Sequence, residues 1–238
     1  MKKIAIVTGA SGQLGLAFVE TLLAMNYEVH GIDKIPGIHK CAHYFHHIID
    51  ITDEQEVEGF YSLLNRNVDV LVNNAGIGVF TPFEERTTKE FVEVMSVNLL
   101  GTFLMSREAI KSMKNNNGGS IINIGSIYGV VSSDYRIYGE SGRNNSEVYS
   151  MTKAGVIQFA RYVAANYGHL NIRMNCISPG GVYRNQQSFF VKEYINKTPM
   201  GRMANPEDFQ SALKFLIDPD NKYTNGQNIV VDGGFSSW

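Results

Sequence analysis

The fold of this chain is decided near its start, by residues 4–15, which read IAIVTGASGQLG. Residues 4–7 are an unbroken apolar run, which is typical of a strand buried on both faces. Gly9, Gly12 and Gly15 follow at once, and a helical spacing of apolar side chains begins at Leu14. A glycine-rich turn between a strand and a helix predicts a dinucleotide site, because a pyrophosphate can rest on the backbone N–H groups that open the helix. The competing interpretation is a tight turn without a ligand.

Beyond this turn, apolar runs alternate with segments of helical spacing. The further predicted strands are residues 27–32, 69–72, 120–124, 171–177 and 227–231. The predicted helices are residues 14–25, 53–65, 88–113 and 146–167 and a segment that starts at 205. Continuous apolar strands separated by helices indicate a parallel sheet covered on both faces. Because there is neither an internal repeat nor a linker, residues 1–238 are predicted to form one doubly wound α/β domain.

Charge and cysteine content exclude several classes of protein. The 238 residues carry 21 Lys and Arg against 23 Asp and Glu, which leaves neither a basic nucleic-acid surface nor an acidic tail. Cys41 and Cys176 lie far apart in the chain, so we expect no disulfide framework and a reducing, cytoplasmic location. No apolar stretch approaches the roughly 18 residues of a membrane span. We therefore expect a small-molecule partner, and neither nucleic acid nor a membrane.

A carboxylate at the end of the second predicted strand bears on the choice of dinucleotide. Asp33 follows Gly15 by 18 residues. At that position a carboxylate accepts hydrogen bonds from the adenosine ribose hydroxyls and repels a 2′-phosphate. Asp33 therefore favours NAD over NADP. The adjacent Lys34 leaves NADP open as the alternative.

Two further features are candidates for chemistry. Tyr149 and Lys153 are four residues apart in a predicted helix, so the phenol and the ammonium share one face. A nearby cation lowers the pKa of a phenol from its ordinary value of about 10 toward the range useful for acid–base catalysis. Ser126 follows the strand at 120–124, at the edge where an open parallel sheet binds its ligands. Taken singly, each has a plain alternative: an exposed Tyr–Lys pair and an ordinary loop serine.

These features occur together and in order, and through them the chain resembles the classical short-chain dehydrogenase/reductase family over essentially its whole length. The resemblance implies a Rossmann fold and hydride transfer between a nicotinamide and a substrate carbon, with a homotetramer or homodimer as the assembly. The matching positions are residues 8–15, Asp50, residues 73–76, Asn98, Ser126, Tyr149, Lys153, residues 179–180, residues 205–208 and residues 224–234.

The resemblance also implies residue roles. Tyr149 would be the general acid/base, Lys153 would lower its pKa and bind the nicotinamide ribose, and Ser126 would hold the reacting oxygen. Asn98, within the long predicted helix, would support a water-linked proton relay from Lys153. The residues implied in cofactor binding are Gly9, Ser11, Gly12, Gln13, Leu14, Gly15, Asp33, Asp50, Ile51, Asn74, Ala75, Gly76, Tyr149, Lys153, Pro179, Gly180 and Val182.

Two positions depart from the family pattern. Gln13 stands where the middle glycine is usual, and Gly12 comes one place earlier, a spacing more typical of the family's extended branch. The chain is expected to be too short for the substrate domain of that branch, so the classical assignment is kept. Arg184 stands where the family often has a threonine that helps to hold the cofactor. A guanidinium there is suited to a carboxylate or a phosphate.

Substrate choice is predicted to lie in two loops, near residues 130–146 and 182–200. The first holds about ten residues more than the family usually has, at 134–145. It is predicted either to recognise a polar, hydroxyl-rich or anionic substrate or to be a solvated surface loop. Phe189, Phe190 and Tyr194 in the second form either a lid or the apolar face of a helix. The candidate substrate residues are Arg136, Arg143 and Arg184.

Residues 127–131, the long loop after them and residues 179–181 give a weaker resemblance to the flagellin-modification and surface-sugar subgroup. That resemblance implies a sugar or acidic-sugar substrate in surface glycan biosynthesis. The alternatives are a 3-oxoacyl thioester reductase, a non-catalytic NAD-sensing protein on the same fold, and an epimerase or dehydratase of nucleotide sugars. No metal is expected. The histidines and cysteine between residues 39 and 47 fit no standard zinc spacing: His39, Cys41, His43, His46 and His47.

Overall fold

The structure is a computed structural model that describes residues 2–37 and 41–238. Within these ranges seven strands form one sheet, in which all neighbouring strands are parallel. The strands β1 to β7 are Ile4–Thr8, Glu28–Asp33, Tyr44–Ile48, Val70–Asn73, Gly119–Ile124, Ile172–Pro179 and Asn228–Val231. Each strand predicted from the sequence is present. The strand β3 holds His46 and His47, two of the histidines considered above.

The strand order is β3-β2-β1-β4-β5-β6-β7. It runs outward in both directions from the neighbours β1 and β4, and such a reversal opens a crevice at the carboxyl ends of the two strands. This is a doubly wound Rossmann fold, as the sequence predicted. The glycine turn follows β1 and residues 74–76 follow β4, so both line that crevice.

Seven α-helices of the described chain connect the strands. The helices α1 to α7 are Gln13–Ala24, Glu54–Leu64, Thr88–Met95, Thr102–Lys114, Glu147–Tyr167, Ser188–Lys197 and Gln210–Ile217. Their ends follow local chemistry. The Asp53 carboxylate caps α2 by accepting from the N–H groups of Gln55 and Glu56, and Ser146 caps α5 by accepting from the N–H of Tyr149. All these helices are too short or too polar to cross a bilayer.

The helix predicted over residues 88–113 is divided in the structure. A π-helical turn, Ser96–Gly101, separates α3 from α4. At its end the helix approaches the loop after β3 so closely that a Cβ on Gly101 would lie 2.6 Å from the Ile51 Cδ1 atom. The turn carries Asn98, which is 1% exposed. Periodicity could not show this interruption, because a π-turn adds a single residue to an otherwise helical spacing.

Apolar side chains fill both faces of the sheet. Successive residues of β1 point to opposite sides, so that Ile6 packs with α2, α4 and α5 while Ala5 and Val7 pack with α1 and α7. A third apolar cluster lies apart from the sheet centre and joins the segment after Ser126 to α6. Its buried members are Ile127, Ile137, Tyr138, Tyr194, Met203 and Phe235.

Candidate active site

The turn after β1 is packed too closely for side chains at two of its glycines. Gly9 has φ +64°, and a Cβ there would lie 2.9 Å from the Ala75 Cα atom. A Cβ on Gly15 would lie 2.0 Å from the Gly9 carbonyl oxygen. Gly12 is less confined, since its Cβ would meet the same oxygen at 3.3 Å. The turn therefore requires glycine at 9 and 15 for its own packing, whereas the requirement at 12 is weaker.

The N-terminus of α1 fits an anionic ligand. Its N-cap is Gly12, which provides no side-chain cap, and the first turn holds no acidic residue. The first N–H groups of a helix have no partner within the helix, and they carry the positive end of its dipole. Gln13, Leu14 and Gly15 occupy these positions. The Gln13 side chain reaches away from the turn, and its Nε2 donates to the Tyr183 carbonyl at 2.9 Å.

Asp33 lies beside the glycine turn. Its carboxylate accepts from the backbone N–H of Ser11 at 3.0 Å and from that of Lys34 at 2.8 Å. The Lys34 ammonium turns instead to the Asp50 carboxylate, at 2.8 Å. Burial alone would raise the pKa of Asp50, but hydrogen bonds from Lys34 and Thr52 hold it below its ordinary value. The cation next to Asp33 is therefore paired with another carboxylate.

The residues after β4 connect the glycine turn to the predicted catalytic side chains. Asn74 Nδ2 donates to the carbonyls of Thr8 and Gly9, each at 3.0 Å, which makes its side chain a brace of the turn. A Cβ on Gly76 would lie 3.3 Å from both Asn98 Oδ1 and Lys153 Nζ. A flat ligand edge can approach this backbone because no side chain is there.

The remaining predicted cofactor positions lie at the rim of the crevice. The Ile51 side chain is 7% exposed and packs in the core, so its backbone is the part that can meet a ligand. Pro179 ends β6, and the N–H of Gly180 donates to the Val231 carbonyl at 2.8 Å. Val182 forms a β-bridge with Ala204. These contacts fix the backbone after β6 against the end of β7 and against Ala204.

Three of the four predicted catalytic side chains meet at the carboxyl end of β5. Ser126 follows β5 and is 7% exposed, and its hydroxyl lies close to that of Tyr149. Tyr149 lies in the first turn of α5. One turn later, the Lys153 ammonium lies 5.5 Å from the Tyr149 ring centroid and donates to the Ile124 carbonyl at 2.7 Å. The predicted i, i+4 arrangement of phenol and ammonium on one helix face is present.

Burial dominates the electrostatics of this pair. It raises the pKa of Tyr149, while the nearby Ser126 hydroxyl acts in the opposite direction. It lowers the pKa of Lys153 from its ordinary value of 10.5 to about 8, because an ammonium loses its hydration there. A lowering of the Tyr149 pKa by Lys153 stays a prediction.

Asn98, the fourth predicted catalytic residue, joins three elements. Its Oδ1 accepts from the Ile77 N–H at 2.8 Å, and its Nδ2 donates to the Ile77 carbonyl and to Thr152 Oγ1, both at 3.0 Å. The π-turn, the loop after β4 and α5 are thereby held together beside Lys153. The water-linked relay implied for Asn98 stays a prediction.

The three candidate substrate arginines have different surroundings. Arg136 forms an ion pair with Asp134 at 2.8 Å, and its side chain is 74% exposed. Arg143 places its guanidinium over the Phe80 ring, 4.1 Å from the centroid. The backbone N–H of Arg184 donates to Gln186 Oε1 at 2.7 Å, and its side chain is exposed. Arg136 is thus already neutralised by a neighbour, while Arg143 lies near Tyr138.

The long segment before Tyr149 is more than a solvated loop. It forms a short 3-10 helix, Tyr135–Tyr138, in which Tyr135 is 72% exposed while Ile137 is 2% and Tyr138 is 8% exposed. Ile137 and Tyr138 pack with Tyr194 of α6. The two predicted substrate loops therefore meet in one apolar cluster, and Tyr194 lies on the apolar face of a helix. No individual role was predicted from the sequence for Tyr128 or Tyr138.

The histidines near β3 form hydrogen bonds with one another and with the backbone. His30 Nδ1 and His47 Nε2 lie 3.0 Å apart, and His46 Nε2 lies 2.8 Å from the Ile35 carbonyl. Burial lowers the pKa of His47 to about 4. His39 lies outside the described residues. Over residues 2–37 and 41–238, no three His, Cys, Asp or Glu side chains are placed to hold a metal ion.

Comparison with known proteins identifies relatives along the whole chain. The family described as "Enoyl-(Acyl carrier protein) reductase" matches residues 34–236. The D-arabinitol 2-dehydrogenase [ribulose-forming] of Candida tropicalis is 32% identical, over 99% of this chain and 93% of its own. The 3-oxoacyl-[acyl-carrier-protein] reductase of Buchnera aphidicola is 31% identical, over 98% of this chain and 97% of its own.

Among solved structures, a short-chain dehydrogenase from Leptospira borgpetersenii with bound NAD+ superimposes with a TM-score of 0.94. It is 43% identical, and the match covers 99% of this chain and 93% of that one. Fold, sequence family and relatives agree on an enzyme that binds a nicotinamide dinucleotide and interconverts alcohols and carbonyls. This chain belongs to the classical short-chain dehydrogenase/reductase family.

Proposed function

We propose that the chain is an NAD(H)-dependent oxidoreductase that interconverts an alcohol and a carbonyl on a sugar or acidic-sugar derivative. One observation carries the proposal: Ser126, Tyr149 and Lys153 meet at the carboxyl end of β5, next to the side-chain-free backbone of Gly76. A substrate bound there lies between a proton-transferring phenol and the crevice in which a dinucleotide fits.

The proposed chemistry assigns one task to each side chain. Ser126 Oγ donates a hydrogen bond to the reacting oxygen and positions it. Tyr149 accepts the alcohol proton during oxidation and returns it during reduction. The Lys153 ammonium favours the phenolate by its charge and binds the ribose beside the substrate. A nicotinamide, when bound, exchanges the hydride with the substrate carbon.

The proposed preference for NAD rests on the surroundings of Asp33. Its carboxylate lies against the glycine turn, where ribose hydroxyls can donate to it and a 2′-phosphate would be repelled. Lys34, the cation that could offset this repulsion, is paired with Asp50. The Leptospira structure that contains NAD+ supports the same choice. Calorimetric titration with both cofactors tests it, and tighter binding of NADP would contradict it.

The proposed substrate class rests on the long segment before Tyr149. Tyr138 of this segment lies near Tyr149, and Arg143 lies near Tyr138. A relative that acts on D-arabinitol supports a substrate with several hydroxyl groups. A place in surface glycan biosynthesis, implied by the subgroup resemblance, stays a prediction.

A 3-oxoacyl thioester reductase is the second candidate, because the matched family and the Buchnera relative both act on acyl-carrier-protein substrates by name. The two candidates separate in a direct assay. Acetoacetyl thioester and a panel of ketoses are each offered with NADH and with NADPH. Faster consumption of NADPH with the thioester would favour the second candidate.

The replacement Tyr149→Phe tests the proposed proton transfer. It keeps the ring and removes the hydroxyl, so we expect turnover to fall by about 10²–10⁴-fold while NAD binding persists. NADH absorbance at 340 nm reports turnover, and calorimetric titration reports binding. Undiminished turnover would contradict the proposal. If the unaltered protein binds NAD but converts no alcohol or carbonyl, the NAD-sensing alternative is favoured, and conversion without net NADH change indicates an epimerase or dehydratase.

A further inference from the structure

The hydroxyl group of Tyr128 is buried beside the proposed catalytic pair without a hydrogen-bond partner of normal geometry among the described residues. Tyr128 follows Ser126 by two residues, and its backbone N–H donates to Ser126 Oγ at 3.1 Å. Buried phenol hydroxyls nearly always have a partner, because leaving one unpaired is costly. An unpaired hydroxyl at this position therefore needs a reason.

A second phenol, that of Tyr138, lies close to it. Its side chain is buried, and its ring packs against Phe190 with the centroids 5.1 Å apart. The Tyr138 hydroxyl approaches that of Tyr128 without completing a normal hydrogen bond, and it is also close enough to Tyr149 to raise that residue's pKa. The hydroxyls of Tyr128, Tyr138 and Tyr149 thus form one group at the end of β5.

Tyr194 shows what a structural tyrosine looks like in the same cluster. Its hydroxyl accepts from the Gly181 N–H, and its ring stacks on Phe235 with the centroids 4.6 Å apart. Its polar and apolar parts are therefore both used by the fold. The Tyr128 hydroxyl has no such use, although its neighbours Ile127 and Ile137 make the surroundings apolar.

Apolar surroundings strengthen a hydrogen bond to a ligand, because water competes poorly there. A site built to bind a hydroxyl also rejects the analogue that lacks it, since the buried polar group is then left unpaired. We propose that the Tyr128 and Tyr138 hydroxyls bind a hydroxyl on the carbon next to the reacting carbon, so that the substrate is a vicinal diol or the corresponding α-hydroxy ketone. This proposal rests on the function proposed above and narrows its substrate class.

The test compares 1,2-cyclohexanediol with cyclohexanol, two alcohols that differ in the neighbouring hydroxyl. Each is oxidised with NAD by the unaltered protein and by the variants Tyr128→Phe and Tyr138→Phe. Tyr135→Phe is the matched control, because Tyr135 lies in the same 3-10 helix and is 72% exposed. We expect the unaltered protein to prefer the diol in kcat/KM, mainly through KM. Tyr128→Phe or Tyr138→Phe should lower the ratio of kcat/KM for the diol to kcat/KM for cyclohexanol by about tenfold, which is the effect of one neutral hydrogen bond. Tyr135→Phe should leave this ratio unchanged.

The thermal stability of the NAD-loaded protein is a second measurement that does not require turnover. The diol should raise the Tm of the unaltered protein more than that of Tyr128→Phe, whereas the ligand-free Tm of Tyr128→Phe should not fall, since no internal hydrogen bond is lost. If both alcohols are oxidised and the ratio of their kcat/KM values is the same in all variants, this proposal is overturned and the proposed function stays intact. If neither alcohol is oxidised, the Tm shifts decide: a larger shift by the diol in the unaltered protein than in Tyr128→Phe supports this proposal, and equal shifts overturn it. The proposed function is tested separately by the ketose panel described above.

Discussion

At the scale of single residues, the site combines side chains that destabilise the fold with side chains that stabilise it. Lys153 is 5% exposed, and no carboxylate contributes to the shift of its pKa. Its buried ammonium therefore lowers the stability of the fold. Asn98 does the opposite, since both ends of its amide bind the backbone of Ile77. Side chains that are maintained against stability are a frequent mark of functional sites.

The replacement Lys153→Met should stabilise the fold at neutral pH while abolishing activity. The pKa of Lys153 is about 8 in the folded protein against 10.5 when unfolded, so below pH 8 the folded state bears the full penalty of holding the charge. The replacement also removes the hydrogen bond to Ile124, which offsets part of this gain. We expect the free energy of unfolding to rise by about 2 kcal/mol at pH 7. The penalty falls as pH rises from 8 to 10.5, and the gain should disappear with it.

Urea denaturation of both proteins at pH 7 and at pH 10.5 measures this difference. Lys192→Met is the control, because Lys192 is exposed and should show no pH-dependent change. If Lys153→Met were equally destabilising at both pH values, burial of the ammonium would not be the dominant effect.

At the scale of elements, the crevice depends on where strands end and helices begin. The turn between β1 and α1 holds its shape through glycines packed against backbone, and Asn74 braces it from the end of β4. Gly12 stands apart from Gly9 and Gly15, since the protein's own packing confines it least. We therefore propose that glycine is needed at position 12 chiefly for the approach of a dinucleotide.

Alanine at these two glycines should separate folding from binding. In Gly15→Ala the new Cβ meets the Gly9 carbonyl oxygen at 2.0 Å, so the turn must move, and we expect a loss of more than about 3 kcal/mol of folding stability. In Gly12→Ala the corresponding distance is 3.3 Å, and the expected loss is about 1 kcal/mol, typical of alanine at an N-cap.

For Gly12→Ala we expect a loss of NAD affinity that is larger than the small loss of folding stability can explain. Chemical denaturation and calorimetric titration measure the two quantities on the same protein. Equal losses of stability in both variants would contradict the steric argument.

At the scale of the whole molecule, several large apolar side chains of the helices that follow β4 and β5 remain exposed. Leu100 of the π-turn is 44% exposed, Phe103 of α4 is 45%, and Met151 and Tyr162 of α5 are 53% and 57%. Clusters of exposed apolar side chains commonly mark protein–protein contacts. They are consistent with the homotetramer or homodimer implied by the family, which stays a prediction.

The replacement Phe103→Glu should therefore shift the assembly toward the monomer, because a buried interface would have to accommodate an unpaired carboxylate. Sedimentation velocity of the unaltered and altered proteins measures the shift. Leu63→Glu is the matched control, since Leu63 lies on α2 and is 89% exposed. A monomeric unaltered protein, or equal effects of both replacements, would contradict the assignment of this surface.

Much of the fold and of the proposed site could be predicted from the sequence, because the decisive signals are local. The apolar run at residues 4–7 forms β1, the glycines after it form the turn, and α5 begins at Glu147 as expected, so the spacing of Tyr149 and Lys153 places both on one helix face. What local signals could not reveal depends on contacts between distant segments. The π-turn at Asn98 and the pairing of Lys34 with Asp50 are examples.

The sequence by itself determined the order of strands and helices, the crevice at the end of β1 and the proposed catalytic side chains, because periodicity, glycine and i, i+4 spacing act over a few residues. The tertiary structure alone decided the surroundings of those side chains. Packing of residues 135–138 against α6 buried Tyr138 near Tyr128 and Tyr149, and ion pairing separated the roles of Arg136 and Arg143. Such contacts join residues far apart in the chain, and their energies depend on burial and geometry that no local pattern specifies.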